Sequence, residues 1–379
     1  MGKSKNLVKD WNSDQNPGVK KQVKFWKSRW RSLLMRSLEK VLIGESLSSL
    51  VVQDLSSLSR HKSAMEYVES IELLQESELV PRTFQYGGRE FPNFKDTRRA
   101  IFRYQIKDAV VHLESGLANV CGGFILEELM GSLTSVFGGG TAVHEYASTK
   151  KPTKRIKGYW TVLPTPRFYF HFIAQSLPTL LRALEHTQLQ GVIASDTLPN
   201  WARESLSALK IEVLYLPDKS VEIEHFICCS VPQITSSSDV NLLRTAYSDN
   251  LQKAGKGLAF IGRSGRNRNL GPVENDLAIF IESLGGVVIE PESFRWEEEL
   301  EFFSGINRLI FVNGSVSANV VWMKPGSKVL VLCGYESFST QIEKSMYLAA
   351  SISCTEYNSD ELTSLSDELI EEITHFVRD

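Results

Sequence analysis

The sequence predicts an α/β fold with two units, each built around a largely parallel sheet. Strand-like and helix-like segments alternate with short connections over residues 156–235, and the alternation returns over residues 257–333. The chain has 379 residues, which is more than one compact core usually holds, so two domains are favoured. A basic amphipathic segment precedes both units.

Charge is unevenly distributed along a chain of otherwise ordinary globular composition. The formal net charge is −3, yet residues 1–44 carry eleven basic and three acidic residues, which gives this arm +8 and leaves −11 on the remainder. A basic arm on an acidic body indicates an anionic surface as the partner of the arm alone. The acidic body argues against nucleic-acid binding, which needs an extended positive face.

The N-terminal arm, residues 1–45, divides into a polar stretch and an amphipathic stretch. The residues before Lys20 are mostly polar and predict disorder. From Lys20 to Ile43 apolar residues recur at three- and four-residue steps and predict a helix, beside a stripe of lysine and arginine. Two interpretations stay open: the helix lies on an anionic membrane surface, or it docks on the body with its lysines turned to water.

Cysteine usage and hydropathy indicate the compartment. The five cysteines lie mostly in apolar runs and none has C-x-x-C spacing, which predicts reduced core cysteines. No stretch approaches the ~20 apolar residues of a membrane span, and the N-terminus has no apolar segment of signal-peptide type. We therefore expect a cytoplasmic protein that reaches the inner membrane face, if at all, through Lys20–Ile43.

We assign residues 46–235 to a first domain. Its early part holds helix-like and turn-rich passages, and short strand-like runs between residues 104 and 146 favour a meander. The later part is typical of a βαβ unit. Its expected strands are Gly158–Leu163, Gly191–Ser195, Ile211–Leu216 and His225–Val231, and its expected helices are Phe170–His186 and Asn200–Leu209.

A second domain, residues 236–350, contains the most informative stretch of the sequence, and a C-terminal helix over residues 351–379 ends the chain. One strand, Gly257–Gly262, leads into a loop with Arg263, Arg266 and Arg268. Another strand, Arg308–Val312, leads into a turn of small residues that runs from Asn313 to Asn319. Because α/β sheets bind ligands at the carboxyl ends of their strands, these groups are predicted to share a site.

The residue types at that sheet edge fit an anionic ligand. Guanidinium groups stay charged and bond a diphosphate bidentately, and Glu274 and Asp276 on the next helix are candidates to hold one arginine. A helix that opens at Ser315, after Gly314, would direct free N–H groups and its positive dipole end at a phosphate. Nucleotide or sugar-nucleotide chemistry is the first hypothesis. The plainer alternatives are an exposed basic loop and a turn kept small for helix–sheet packing.

Two other ligand classes lack their sequence signals. The turn after Val312 is not G-x-G-x-x-G, and no acidic residue follows a second strand as a dinucleotide fold requires. Asp239 and Asp249 are isolated, and no D-x-D-like cluster lies in a suitable loop, so we expect no metal site. His171 lies in an aromatic run at a predicted loop-to-helix junction. It is a candidate general base or hydroxyl-binding group, and the alternative is a structural histidine.

Taken in order, these segments resemble glycosyltransferase family 61 over about residues 105–335. The family's Asn-aromatic-aromatic-His-Trp element and its Leu-Pro-Arg-Leu stretch align with residues 168–172 and 177–180. Its strand ending in Arg, with a further Arg and an acidic residue, aligns with Arg263, Arg266 or Arg268, and Glu274. Its segment with Glu-Gln before a Phe is matched in part by Glu298-Glu299 and Phe303. Its His-Gly-Ala-Gly-x-x-Asn turn aligns with residues 313–319, and its Pro-Gly before an apolar strand aligns with Pro325-Gly326 and Val329–Leu332.

Four further departures from the family pattern bear on the site. Phe168 replaces the motif Asn, Phe172 the Trp, Thr179 the Arg after Leu-Pro, and Asn313 the His before the glycine turn. Phe168 and Thr179 lack polar groups that a substrate site uses, and Asn313 keeps hydrogen bonding but cannot act as a base. These departures motivate an alternative: a relative that binds sugar nucleotide or polysaccharide without turnover. Some other nucleotide-dependent α/β enzyme is the third hypothesis.

The resemblance implies a GT-B architecture, with two Rossmann-like domains facing across a cleft, and inverting, metal-independent transfer of a sugar. The donor is a nucleotide sugar, used as co-substrate with no bound cofactor, and the acceptor is a glycan or lipid-linked glycan of bacterial surface polysaccharide, such as capsule. Arg263 becomes the catalytic charge sink and His171 the base, with a carboxylate from residues 86–145 as the other candidate. The donor-binding set is Arg263, Arg266, Arg268, Glu274, Asn313, Gly314, Ser315 and Asn319.

Overall fold

The computed structural model describes the protein from Ile101 to Arg378, with gaps at 115, 117, 121–123, 127–151, 153, 166–167, 233, 252–256, 264–269, 334–340 and 359–363. Before residue 101 it describes only the backbone of four short strands. The basic arm with its helix at Lys20–Ile43, most of residues 86–145, and the loop arginines Arg266 and Arg268 lie outside the described residues.

The described strands form two large sheets and one hairpin. The first eleven strands are β1 (Val51–Val52), β2 (Val68–Leu74), β3 (Phe84–Tyr86), β4 (Arg89–Phe91), β5 (Ile101–His112), β6 (Ala118–Val120), β7 (Phe124–Leu126), β8 (Arg155–Leu163), β9 (Gly191–Ser195), β10 (Val213–Leu216) and β11 (Ser220–Cys229). The remaining five are β12 (Leu258–Ile261), β13 (Val287–Val288), β14 (Arg308–Val312), β15 (Lys328–Cys333) and β16 (Ser353–Asn358). The hairpin pairs β3 with β4.

Eight α-helices lie among the described residues. They are α1 (Tyr169–His171), α2 (Leu177–Leu184), α3 (Asn200–Ala208), α4 (Ser237–Ala246), α5 (Val273–Ser283), α6 (Trp296–Gly305), α7 (Gln341–Ala349) and α8 (Asp367–Arg378). A π-helical turn at Phe172–Ser176 joins α1 to α2, and a 3₁₀ helix occupies Ser315–Val321. None of the described helices has the length and apolarity needed to cross a bilayer.

The first sheet combines a parallel half with an antiparallel half. Its order is β1-β7-β6-β5-β11-β8-β9-β10, and β2 also pairs with β5. The strands β11, β8, β9 and β10 are mutually parallel, and every residue of β9 is buried, as expected for a strand covered on both faces. The strands β5, β6 and β7 run antiparallel, which is the meander that the alternating runs predict.

The second sheet is wholly parallel and has the order β13-β12-β14-β15-β16. In sequence order its strands lie 2-1-3-4-5, a doubly wound arrangement whose order reverses between the first and third strands. The reversal therefore falls between β12 and β14, the two strands that deliver Arg263 and the small-residue turn. Ligands bind at such a reversal, outside the carboxyl ends of the strands.

Each face of the second sheet packs on a different partner. Leu258 and Phe260 of β12 join a core with helices α5 and α8, while Ala259 and Ile261 join a core that continues into the first sheet. This alternation is the two-residue period of a strand. The continuing core contains Phe172 and other residues of the first-sheet helices, so one hydrophobic interior joins the two sheets.

Helix α4 contacts the first-sheet side of the molecule at its start and the second-sheet side near its end. At its start, the carboxylate of Asp239 accepts the Ser236 N–H at 2.7 Å and forms a buried ion pair with Arg182 of α2, with Nη2 and Oδ1 2.6 Å apart. Near its end, Arg244 donates to the carbonyls of Val321 and Met323 at 2.7 and 2.5 Å. The helix thus connects the first-sheet helices to the turn that follows β14.

Candidate functional site

A cavity of about 530 Å³ lies between the two sheets at the carboxyl ends of β12 and β14. Its walls come from both sides: α1 and α3 beside the first sheet, and the ends of β12, the 3₁₀ helix and α6 beside the second. The lining residues are Tyr169, Asn200, Trp201, Glu204, Ile261, Gly262, Arg263, Pro291, Glu292, Ser293, Phe294, Arg295, Glu299, Ser315, Val316 and Asn319. Pockets of this size accommodate a small-molecule ligand.

Arg263 is the basic residue that strand β12 delivers directly to the cavity. Its Nη1 donates to the backbone carbonyl of Asn313 at 3.3 Å, and the guanidinium lies against Gly314. A Cβ at position 314 would come within 1.4 Å of Nη1, so any larger residue would displace the arginine. The small residue is required here by a side chain of the protein itself.

Glu274 is a buried carboxylate at the start of α5 that holds both ends of the loop carrying Arg266 and Arg268. Its two oxygens accept the backbone N–H groups of Arg263 and Leu270, each at 2.7 Å. These two contacts fix residues 263 and 270 on either side of the loop at residues 264–269. Glu274 thus contacts Arg263 through the backbone N–H, and its predicted roles in holding an arginine side chain and in donor binding stay predictions.

The small-residue turn enters a helix at Ser315, as the sequence predicts, but the helix is a 3₁₀ helix of seven residues. Ser315 and Asn319 line the cavity. Asn313 is buried behind it and contributes its backbone carbonyl to Arg263. Of the predicted donor-binding set within the described residues, Arg263, Ser315 and Asn319 therefore reach the cavity, and Glu274, Asn313 and Gly314 support them from behind.

A hydrogen-bond chain crosses the cavity wall from one sheet to the other. The Tyr169 hydroxyl donates to Asn319 Oδ1 at 2.7 Å, and Asn319 Nδ2 donates to Glu299 Oε1 at 2.7 Å. Burial raises the pKa of Glu299 to about 7, against the lowering effect of its hydrogen bonds to Asn319 and Tyr169. Burial, with the nearby Glu299 carboxylate, raises the pKa of the Tyr169 hydroxyl well above its usual value.

Two further carboxylates line the cavity in different settings. Glu204 of α3 accepts the backbone N–H of Trp296 at 2.8 Å, and so satisfies a free donor at the start of α6. Glu292 is exposed on the loop after β13. Among the described residues no group of three His, Cys, Asp or Glu side chains is placed to hold a metal ion.

His171, the predicted base, lies outside the cavity lining. Its Nδ1 is 2.9 Å from Gln175 Oε1, and Gln175 Nε2 in turn donates to the Pro232 carbonyl at 2.8 Å. Tyr169, two residues earlier, faces Trp201 and the cavity instead. The helical turn between them directs the two side chains to different sides, and the role of His171 stays a prediction.

Sequence reasoning missed several lining residues. Tyr169 lies in an aromatic run whose pattern is typical of a buried core. Glu299 appeared only as part of the Glu298-Glu299 pair in the family resemblance, with no role assigned to it. Trp201 and Glu204 are three residues apart on α3 and so share a face, which is the one local signal available for them. Arg295 gave no signal beyond charge, because its position depends on the loop that follows β13.

A family model for glycosyltransferase 61 matches residues 169–330. Over this segment the chain is similar to glycosyltransferase family 61, which confirms the resemblance seen in the sequence. Every residue that lines the cavity, from Tyr169 to Asn319, falls within the matched segment. A search of curated proteins found no match to the chain.

Proposed function

We propose that this protein is an inverting glycosyltransferase of family 61 that binds a nucleotide sugar in the cavity and passes the sugar to a glycan or lipid-linked acceptor. The supporting observation is the position of Arg263, held by Asn313 and Gly314 beside a cavity of about 530 Å³ at the strand reversal. Departure of a nucleoside diphosphate needs a charge sink, and a guanidinium provides one without a metal. The GT-B arrangement is part of the proposal; a cavity lined from both sheets supports it.

Inverting transfer is a single displacement at the anomeric carbon of the donor. The acceptor hydroxyl oxygen forms a bond to that carbon while the bond to the diphosphate oxygen breaks, and the hydroxyl proton passes to a base. The diphosphate leaves with the bonding electron pair and gains negative charge, which Arg263 neutralises. Arg266 and Arg268 belong to the same loop and complete the proposed sink.

The proposal is tested with Arg263→Ala in a panel of nucleotide sugars, by release of nucleoside diphosphate and by calorimetric binding of the diphosphates. We expect slow turnover of one donor by the wild-type protein in excess EDTA, and a loss of about 10²–10³ in rate for the variant, the size seen when one preorganised charge-stabilising group is removed. Arg378→Ala is the matched control, because this exposed arginine ends α8 on the other face of the second sheet. Unaltered turnover in Arg263→Ala would refute the assigned sink.

A binder without turnover is the second candidate, and the Thr179 side chain favours it. In place of the family arginine, the Thr179 hydroxyl donates to the Gln175 carbonyl of its own helix at 2.8 Å. A non-catalytic relative would bind a nucleotide sugar calorimetrically and release no nucleotide. The panel therefore separates the two functions.

We place the proposed reaction in surface polysaccharide synthesis at the cytoplasmic face of the inner membrane. The support is the basic amphipathic pattern of Lys20–Ile43, which suits an anionic lipid surface. Co-sedimentation with anionic liposomes should be lost when residues 1–44 are deleted. Equal sedimentation of the full and shortened chains would remove the membrane part of the proposal.

A further inference from the structure

The three carboxylates of the cavity differ in how free they are to accept a proton. One oxygen of Glu204 is engaged by the Trp296 backbone N–H, and Glu292 is exposed to solvent. Glu299 alone among these three is buried, with 6 % of its surface exposed, while still lining the cavity. A carboxylate shielded from water but open to a ligand is suited to proton transfer with that ligand.

The hydrogen-bond chain fixes the direction of the Glu299 carboxylate. The Tyr169 hydroxyl donates to Asn319 Oδ1, so the amide group of Asn319 is oriented with its N–H towards Glu299 Oε1. One such bond occupies one of about four acceptor positions of a carboxylate. The chain thus holds Glu299 in place and leaves acceptor capacity for a hydroxyl group in the cavity.

The surroundings of Glu299 also suit a base at neutral pH. Burial is the main cause that raises its pKa to about 7, the hydrogen bond from Asn319 lowers it, and the carboxylates of Glu292 and Glu204 raise it further. Arg263 faces the same cavity from the end of β12. A base with a pKa near the working pH combines the deprotonated form with the strongest drive to take a proton.

We propose that Glu299 is the general base of the transfer reaction, positioned by Asn319 and Tyr169. This inference rests on the proposed glycosyltransferase function. As the acceptor oxygen bonds to the anomeric carbon and the diphosphate departs, the acceptor proton passes to the Glu299 carboxylate, which later returns it to solvent. The role predicted for His171 is then taken by a residue 128 positions further along the chain.

The deciding variant is Glu299→Gln in the full chain. Glutamine keeps the shape and an oxygen for Asn319, but it cannot accept the proton. We expect the transfer rate to fall by about 10²–10⁴, with unchanged calorimetric affinity for the nucleoside diphosphate. The wild-type rate should rise with pH to a plateau above about 7, because the base acts when deprotonated, and this rise should vanish from the residual rate of the variant.

Glu297→Gln is the matched control, because Glu297 is exposed, precedes Glu299 by two residues on the same helix and does not line the cavity. A Glu299→Gln variant that binds the diphosphate and keeps the wild-type rate and pH profile would overturn the assignment while leaving the transferase function intact. A wild-type chain that turns over no donor in the panel would instead remove the proposed function, and the base with it. His171→Ala, assayed beside them, should retain the pH rise.

Discussion

At the residue scale, the buried Glu299 carboxyl lowers the stability of the folded protein when it is deprotonated, which is the form in which the proposed base acts. Its pKa of about 7 in the folded protein exceeds the ordinary value of 4.5, so between these pH values the folded state binds more protons than the unfolded state. Stability from this group therefore falls as pH rises from about 4.5 to about 7 and is constant above. The difference in pKa corresponds to at most about 3 kcal/mol.

We therefore predict that Glu299→Gln is more stable than the wild type at pH 8 and about equal to it at pH 5. Glutamine never ionises, whereas the wild type carries a buried charge at the higher pH. Urea unfolding at both pH values measures the difference, and the gain at pH 8 should not exceed about 3 kcal/mol. Glu297→Gln should show no such dependence, and a pH-independent effect of Glu299→Gln would contradict the buried-charge account.

Gly314 illustrates what a residue pattern reveals and what it hides. The sequence identifies a small residue after a buried strand and predicts close approach of a ligand to the backbone. The backbone at Gly314 is extended, with φ of 169°, a conformation open to any residue. Only the folded structure shows that the space is filled by the Arg263 guanidinium, so the glycine makes room for the arginine.

At the element scale, Glu274 links the end of β12 to the start of α5. Its oxygens hold the backbone at Arg263, where β12 ends, and at Leu270, just before α5. Gly262 has no room for a side chain here, because a Cβ would lie 2.8 Å from Glu274 Oε2. One side chain therefore holds Arg263 and Leu270, the residues on either side of the segment that carries Arg266 and Arg268.

Glu274→Gln should weaken diphosphate binding although no arginine is removed. An amide has one oxygen, so one of the two backbone N–H groups would face an NH₂ donor and lose its partner. An unsatisfied buried donor costs about 1–3 kcal/mol, part of which should appear as lost stability and part as reduced calorimetric affinity. Asp276→Asn, an exposed change in the same first turn of α5, is the control and should leave both unaffected.

At the scale of the whole molecule, the sequence predicts strands and helices better than it predicts which distant residues come into contact. The strands Gly191–Ser195 and Arg308–Val312 have the predicted ends, because buried parallel strands read as unbroken apolar runs. The contact of Tyr169 with Asn319 joins residues 150 positions apart, and no local pattern specifies such a pair. The candidate base was missed for that reason.

The domain boundary predicted between residues 235 and 236 lies just before α4, and this helix contacts residues from both sheets' sides of the boundary. Its Asp239 pairs with Arg182 from the first-sheet side, while its Arg244 holds carbonyls that follow the 3₁₀ helix. Burial lowers the pKa of Arg244, and the carbonyls satisfy its donors. With one core shared between the sheets, we expect both to unfold in a single transition.

Asp239→Ala tests this coupling. The variant leaves the Arg182 guanidinium, whose side chain is 4 % exposed, without its carboxylate, and breaking a buried pair in this way costs about 3–5 kcal/mol. Urea unfolding should show one cooperative transition at a lower midpoint by both circular dichroism and tryptophan fluorescence, since Trp160 lies in the core of the first sheet and Trp296 in the core that the two sheets share. Asp249→Ala, at an exposed position beyond the same helix, should change the free energy of unfolding by less than about 0.5 kcal/mol. The double variant Arg182→Met, Asp239→Leu should recover the part of the loss that comes from the uncompensated charge, but not the part that comes from the lost contact with the Ser236 N–H. Two separate transitions would show instead that α4 and the shared core do not couple the sheets, and that the cavity walls move independently.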